Sequence, residues 1–537
     1  MRMPSFTSSV CAVLALALGL GLGLKLLAGC GGNEAPQRNV LMVSFDTLRA
    51  DRLGAYGNDD WGRSPSPHVD GLAARGVTFE QVIATRGQTH PSLGALLSGK
   101  YPITTGLREN GQLLLPQHAT LIQKLKAAGF QTGVFISNFD VQDPMDEWIF
   151  RGAEVRGDGA HGHGATEAGP HESRFQEVWD DRVEESALAF LDHLDPQRPF
   201  AEWVHFYNIH KPYNPPAAYL ASYGVSPEAP AVLAAPGADS GPALEKYLRE
   251  ITLGDREVSA AELRRILGLY DGGVSATDDR LGRLLDKVEA TGRAASTFFV
   301  FTADHGEELF THNRYFFHGN SVYHSVLRLP LVIAGPGLPA GTRAAAPNVQ
   351  NIDVAPTVLE LLGLPPVPDM EGRSLVKLLR GESTQSPRPF AFSEWQDIVY
   401  AVTDGNFSYI HNPRHAHLLK EPYQSYGGET VTRGYPLRCF QAYDLRTDPD
   451  EQRDLLADKD PATLGSASGL PPELAPLRQA LDAWLADPRH ERELSYPGLE
   501  NEAAAKHRSE KLAQLGYVEG GRVGRDILIK EPCAPRR

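Results

Sequence analysis

The sequence predicts an α/β fold: a central mixed, mostly parallel sheet flanked by helices, with a smaller C-terminal α+β subdomain that contains a short antiparallel sheet. Three observations point there. Two apolar runs of strand length, Asn39-Val-Leu-Met-Val-Ser-Phe45 and Thr297-Phe-Phe-Val-Phe-Thr-Ala303, lack the alternation of a half-solvated strand, so both faces are expected to be covered. Leu263 to Ala290 sets Ile266, Leu267, Tyr270, Leu281, Leu284, Leu285 and Val288 at helical spacing, the pattern of an amphipathic helix lying on a sheet. After Arg380 the chain changes to short alternating strands, Phe390-Ala-Phe-Ser-Glu394, Ile398-Val-Tyr-Ala-Val-Thr403 and Phe407-Ser-Tyr-Ile410, with helices after them.

The first of these strands runs into Asp46, and the second runs into Asp304 followed at once by His305. Ligands of open α/β sheets sit beyond the carboxyl ends of the strands, so three such residues delivered to that edge read as a metal site. An acid at a strand end can equally start a turn or cap the next helix, and either strand alone supports both readings. The segment Thr85-Arg-Gly-Gln-Thr-His-Pro-Ser-Leu-Gly-Ala-Leu-Leu-Ser-Gly99 tips the balance. Pro91 suits a first helical turn, whose free N–H groups favour an anion. A hydroxyl at that helix mouth, facing a cation held by Asp46, Asp304 and His305, fits a metal-activated nucleophile for a phosphate or sulfate ester, and Thr89 is the candidate.

With these residues in view, the chain resembles the sulfatases of the alkaline phosphatase superfamily from about Asn39 into the C-terminal region. The resemblance is carried by Asn39–Gly57, Ser66-Pro-His-Val-Asp-Gly-Leu-Ala-Ala-Arg-Gly-Val-Thr-Phe79, Ser98-Gly-Lys-Tyr-Pro102 and Thr302-Ala-Asp-His-Gly-Glu-Glu308. Arg328–Gly337, Asp353–Gly363 and Tyr443–Leu455 add to it. Each segment is weak alone; their order and spacing together are specific. The resemblance implies an alkaline phosphatase-like fold and an ester hydrolase dependent on a divalent metal.

The departures from the family pattern bear on the chemistry. Sulfatases carry Cys or Ser in C/S-x-P-S-R, matured to formylglycine, where this chain reads Thr89-His-Pro-Ser-Leu93. A hydrated formylglycine has two hydroxyls, and the second expels sulfate. Thr89 has one, so its adduct must be released by water or an acceptor alcohol attacking the central atom, a route familiar for phosphoryl groups. Thr47 stands where the family often has a second acid, and His305 follows Asp304 where Asn is common. Fewer carboxylates and an imidazole shift the preference of the one divalent ion toward Mn²⁺ or Zn²⁺, with Ca²⁺ still open.

The resemblance also carries over His210, from the strand-to-His-x-Pro-Tyr segment Phe200–Tyr213, and His318, from the His-Gly turn. Both are expected as contacts to substrate oxygens or the leaving group, one of them as general acid. Asn208 replaces the usual Asp. A Gly-Lys-Trp-His segment that many sulfatases have is replaced by Asn138-Phe-Asp-Val141, where Asn138 contacts substrate or caps a loop.

The apolar run Val10 to Leu24 is short for a membrane span, and Leu27-Ala-Gly-Cys30 resembles a bacterial lipobox. The expected product is an extracytoplasmic lipoprotein, attached to a membrane through lipid on Cys30. The resulting division is a signal peptide (1–29), a tether (30–38), a sulfatase-like catalytic domain (39–380), a C-terminal subdomain (381–500) and a C-terminal helix and tail (501–537). The 537 residues are 42% hydrophobic with formal net charge −15, enough for one large core and an appended subdomain. An acidic chain without basic clusters gives no reason to expect nucleic acid as a partner. Cys439 and Cys533 are free to pair or not in an exported compartment. Arg151–Arg174, with His161, His163 and His171, and Ser226–Pro242 read as surface loops.

The expected function is therefore a metal-dependent, sulfatase-like hydrolase of a small-molecule or glycan sulfate or phosphate ester. Two alternatives remain: a phosphodiester or phosphonate ester hydrolase or phosphoryl-group transferase, and an inactive lipid-anchored protein that binds an anion or glycan.

Overall fold

A computed structural model describes residues 38–139, 146–158, 175–211, 213–225, 247–248, 250–251, 256–312, 316, 318–319, 321–395, 399–412, 417–418, 423–424, 430–431, 435–436 and 438–490. The leader with Cys30, the three loop histidines His161, His163 and His171, Ser226–Pro242, Cys533 and the tail 501–537 lie outside them. Cys439 is disulfide-bonded.

Nine strands form the main sheet. They are β1 (Asn39–Phe45), β2 (Gly76–Ile83), β3 (Gln131–Ile136), β4 (Val155–Asp158), β5 (Phe200–Phe206), β6 (Thr297–Ala303), β7 (Arg328–Ala334), β8 (Thr342–Ala344) and β9 (Val349–Gln350). Their order is β4-β3-β5-β1-β6-β7-β2-β8, with β9 also on β2. The block β4-β3-β5-β1-β6 is parallel throughout; β7 runs antiparallel to both β6 and β2. Every residue of β1, β5 and β6 is buried, as the apolar runs of β1 and β6 imply, and the burial in β5 includes Glu202 and His205.

Helices cover the sheet. The ones that position the site are α1 (Pro67–Arg75), α2 (Thr89–Ser98), α3 (Phe175–Asp192) and α4 (Ala260–Ala290). The sequence α4 begins with, Ser259-Ala-Ala-Glu262, closes a capping box: Ser259 Oγ accepts from Glu262 N–H, and the Glu262 carboxylate accepts from Ser259 N–H. The helix is wider in its burial than its amphipathic pattern predicts. All residues from Gly268 to Asp278 are buried, because α1, α3 and the segment around Tyr223 close over its outer face.

The short strands after Arg380 are present as β10 (Ala391–Trp395), β11 (Val399–Thr403) and β12 (Phe407–His411). The strand Phe440–Asp444 joins them to complete a four-stranded antiparallel sheet, on which the helix Ala475–Leu485 packs. Leu474, Leu477 and Leu481 enter a core of their own with Tyr409, Phe440 and Leu464. Among the described residues no helix is long and apolar enough to cross a membrane.

Candidate active site

Strand order brings the expected residues together. β1 is flanked by β5 and β6, with Ser44 level with both His205 and Thr302, so the next residues up, Asp46 and Asp304, leave adjacent strands at the same edge. The Asp46 N–H extends the ladder to Phe206 O (2.8 Å). The chain then turns through Thr47 with φ 55°, a strained conformation for a β-branched residue. Tyr270 of α4 holds that turn by donating its hydroxyl to Thr47 O (2.7 Å) and accepting from Arg49 N–H (2.9 Å).

Thr89 is the first residue of α2, and Ser92 fixes the helix to this sheet edge by donating to the Asp304 carbonyl. The Thr89 hydroxyl lies 3.5 Å from Asp46 Oδ2, to which it donates, and 3.3 Å from His305 Nε2. The expectation of free first-turn amides needs correction. His90 N–H donates to Asn110 Oδ1 (2.9 Å), Ser92 N–H donates to Gln88 O, and Pro91 has no N–H. Leu93, at the motif's Arg position, is buried in the main apolar core.

Asp46, Thr89, His205, Asp304 and His305 are all 0% exposed. Asp304 Oδ1 accepts from the N–H groups of Thr47 (3.2 Å) and His305 (2.7 Å), while Oδ2 lies 3.3 Å from His305 Nε2. His305 Nδ1 sits 2.9 Å from the Gly306 carbonyl, which can only accept, so Nδ1 carries the proton and Nε2 presents its lone pair to the site. Asn138 Nδ2 donates to Asp46 Oδ2 (3.0 Å). Burial pushes the Asp46 carboxyl up to about 7, against the pull of His305, and burial together with Asp46 pushes Asp304 up to about 6.

His210 and His318 complete the pocket wall. His210 stacks on Tyr207 and meets His318 edge-on at 5.1 Å, and His318 lies 4.5 Å from the His305 ring. His210 Nδ1 donates to Lys211 O (2.7 Å), and burial with the neighbouring Lys211 holds the ring well below the usual imidazole range. His318 Nδ1 faces Glu307 Oε1 at 3.2 Å. Burial lowers the His318 ring, as do His305 and His210, and burial also raises the Glu307 carboxyl well above the usual range.

Sequence reasoning missed one member of this edge. His205 of β5 belongs with Asp46 and Asp304 to a group whose ligand atoms all lie within 4.8 Å of one another; His305, the expected third ligand, is not in that group and lies beside it, its Nε2 3.3 Å from Asp304 Oδ2. The available signal was a His inside the strand-length segment Phe200–Phe206, and only the strand order shows where that His points. These groups fit a divalent cation. Asp46 Oδ1, His205 Nε2 and Asp304 Oδ2 are buried without a hydrogen-bond partner among the described residues, a cost that a shared cation removes.

Comparison with known proteins agrees with this geometry. The Sulfatase family model matches residues 38–364, and the model "N-sulphoglucosamine sulphohydrolase, C-terminal" matches 312–475. The multifunctional alkaline phosphatase superfamily protein PehA of Trinickia caryophylli is 27% identical over 70% of this chain and 87% of its own. The N-acetylglucosamine-6-O-sulfatase of Bacteroides thetaiotaomicron is 24% identical over 80% and 85%. Among solved structures, the phosphonate monoester hydrolase of Silicibacter pomeroyi shares the fold with TM-score 0.61 at 20% identity, over 85% of this chain and 96% of that one. A 2-O GAG sulfatase does so with TM-score 0.60 at 20% identity, over 84% and 91%. With acids, imidazoles and a hydroxyl meeting at one sheet edge inside the span of the family model, the chain belongs to the sulfatase family of the alkaline phosphatase superfamily, metal-dependent hydrolases of sulfate and phosphate esters.

Proposed function

We propose that the chain hydrolyses a sulfate ester with Thr89 as its nucleophile and with Asp46, Asp304 and His305 as ligands of a divalent ion, Mn²⁺ or Zn²⁺ before Ca²⁺. The observation that supports this best is the Thr89 hydroxyl itself, held between Asp46 Oδ2 and His305 Nε2 at 3.5 and 3.3 Å. When bound, the ion supplies a Lewis acid that lowers the pKa of the Thr89 hydroxyl and offsets charge on the ester oxygens. Asn138 and the N–H groups of Thr47 and His305 keep the two acids aimed at that place.

Thr89 Oγ1 attacks sulfur or phosphorus as the bond to the departing alcohol breaks. His318 is the better proton donor of the two wall histidines, because the pair it forms with the uncharged-leaning Glu307 holds a proton. His210 spends its Nδ1 proton on Lys211 O and is kept neutral by burial, so it suits accepting a proton from the water or alcohol that releases the Thr89 adduct.

The single hydroxyl of Thr89 favours a second reading, cleavage or transfer of a phosphodiester or phosphonate ester, and PehA, a relative described as multifunctional, adds to it. The test is turnover of metal-loaded protein on paired aryl sulfate and aryl phosphodiester substrates, with Thr89→Ala as the blank. Thr89-dependent turnover is expected, and the faster substrate decides between the readings. Equal rates for protein and blank on both substrates would overturn both and leave a binding protein that keeps its anion or glycan ligand after Thr89→Ala.

We also place the enzyme outside the cytoplasm, tethered through Cys30, on the strength of Leu27-Ala-Gly-Cys30. Metabolic labelling with radioactive palmitate should mark the full chain and not Cys30→Ser; equal labelling would sink this placement.

A further inference from the structure

We propose that His205 is a direct ligand of the divalent ion through Nε2, a second imidazole that makes this site prefer Zn²⁺ or Mn²⁺ to Ca²⁺. The inference rests on the metal-dependent reading above and adds to it a residue from outside the family motifs.

The register provides the first support. His205 pairs with Ser44, two residues before Asp46, so the pleat turns His205 toward the face that Asp46 and Asp304 use. Its Nε2 lies 3.5 Å from Asp46 Oδ2, and the closest ligand atoms of His205, Asp46 and Asp304 fall within 4.8 Å of each other. Two ligands at ordinary metal distances of about 2.0–2.2 Å stand up to about 4 Å apart, so the trio needs only a small contraction to close on one ion.

The second support is the hydrogen-bond account. His205 Nδ1 is 2.9 Å from Ser44 Oγ, and that oxygen accepts Trp203 Nε1–H at 2.9 Å. Ser44 has a second lone pair that can take Nδ1–H, and in that tautomer the Nε2 lone pair is directed at the carboxylates. The rival explanation is a protonated His205 serving as counter-ion to Asp46. The contact at 3.5 Å makes no hydrogen bond, and Nε2 has no other hydrogen-bond partner among the described residues. A charged imidazole left without a bond in a fully buried place is costly, whereas a neutral one donating its lone pair to a cation is not.

The third support is the ligand count. Thr47 occupies the place of the second acid that the family pattern implies, and its buried hydroxyl also lacks a partner among the described residues. His205 returns the missing ligand from the neighbouring strand. With Asp46, Asp304 and His305 it gives two oxygen and two nitrogen donors, a set suited to Zn²⁺ or Mn²⁺ and poor for Ca²⁺, which takes six to eight oxygens.

The test uses the full chain, stripped with a chelator and reloaded. Pulsed EPR of the Mn²⁺ form counts imidazole nitrogens coupled to the metal, and two are expected in the wild type, one in His205→Gln. Competition against a chromophoric chelator should show Zn²⁺ affinity falling at least about tenfold in His205→Gln while Ca²⁺ affinity changes little. Ser44→Ala, which keeps His205 but removes its orienting oxygen, should give a smaller loss in the same direction. One imidazole in the wild type overturns the proposal, whatever the variants do, and so does an equal loss for Zn²⁺ and Ca²⁺ in a folded His205→Gln. Two imidazoles without turnover of either ester would leave this inference standing and remove the hydrolase reading; turnover with one imidazole would do the reverse.

Discussion

Asp46 and Asp304 destabilise the metal-free protein, and the sign of that effect can be worked out. Burial raises both carboxyls, to about 7 and about 6, from a reference value of 3.8. A group raised in the folded state gives its full stability below its unfolded pKa and loses it as pH climbs through the folded pKa. Stripped of metal, the wild type should therefore become progressively less stable than Asp46→Asn between about pH 4 and pH 7, with the gap levelling off above that, on the order of a few kcal/mol. Urea unfolding in chelator at pH 4, 6 and 8 measures it, and a gap independent of pH would refute the account. Adding Zn²⁺ at pH 8 should reverse the ranking, since the wild type alone keeps both acids. At this scale much of the site was legible. Asp46, Asp304 and His305 follow the ends of apolar strands, and Thr89 starts a helix, so punctuation in the sequence exposes them. His205 sits inside its strand, flanked by Val204 and Phe206, and nothing local distinguishes it from a core histidine until β5 is known to lie beside β1.

The elements were legible where a short-range pattern fixes them. The apolar runs of β1 and β6, the Ser259–Glu262 capping box and the alternation in β10, β11 and β12 all work over a few residues. The strand Phe440–Asp444 was hidden because its outer residues, Gln441 and Tyr443, are polar or aromatic and make buried contacts, Gln441 with Tyr323 and Tyr443. Two acids of α4 hold the structure together. Asp271 holds Arg52 and Trp61, and Asp278 accepts from His68 N–H (2.8 Å) and Val69 N–H (2.9 Å), so α4 caps the start of α1. That cap is made by a helix about 210 residues away in sequence, which no local pattern announces. Asp278→Ala leaves two helix-start amides buried beside an apolar methyl and should cost about 1–3 kcal/mol in chemical denaturation. Turnover per folded molecule should stay unchanged, because α1 packs mainly on β2, β7 and α4; an activity loss without a stability loss would show that α1 does more than brace them.

At the scale of the whole molecule, Thr89, the proposed nucleophile, is positioned partly by the second sheet. Glu394 of β10 forms a fully buried, two-pronged pair with Arg108, its carbonyl accepts from Arg86, and its N–H donates to Thr85 O (3.1 Å). Ser393 Oγ donates to Ala84 O (2.6 Å) beside it. The chain from Ala84 to Gln88 that leads into Thr89 is thus clamped against β10, more than 300 residues later in sequence. Two sheets were foreseeable from the change of pattern at Arg380, but this junction depends on side chains that read as ordinary surface charges in the sequence. Arg86 is itself fully buried, and burial pulls its guanidinium down to about 9 despite Glu394 and Glu109, so it tolerates no further loss of negative charge nearby. Glu394→Ala removes the carboxylate that pairs with Arg108 and faces the buried Arg86, and should destabilise the protein by about 3–5 kcal/mol, the scale for breaking a buried pair. It should also lower kcat more than KM, because Thr89 loses its fixed approach while the metal edge formed by β1, β5 and β6 stays in place. Adding Arg108→Met should recover part of the stability by removing the uncompensated charge, yet recover little of kcat, since the β10 contacts to Arg86 and Thr85 depend on the position of Glu394. Recovery of both to the same extent would mean that the junction serves stability alone, and that α2 places Thr89 without help from the C-terminal sheet.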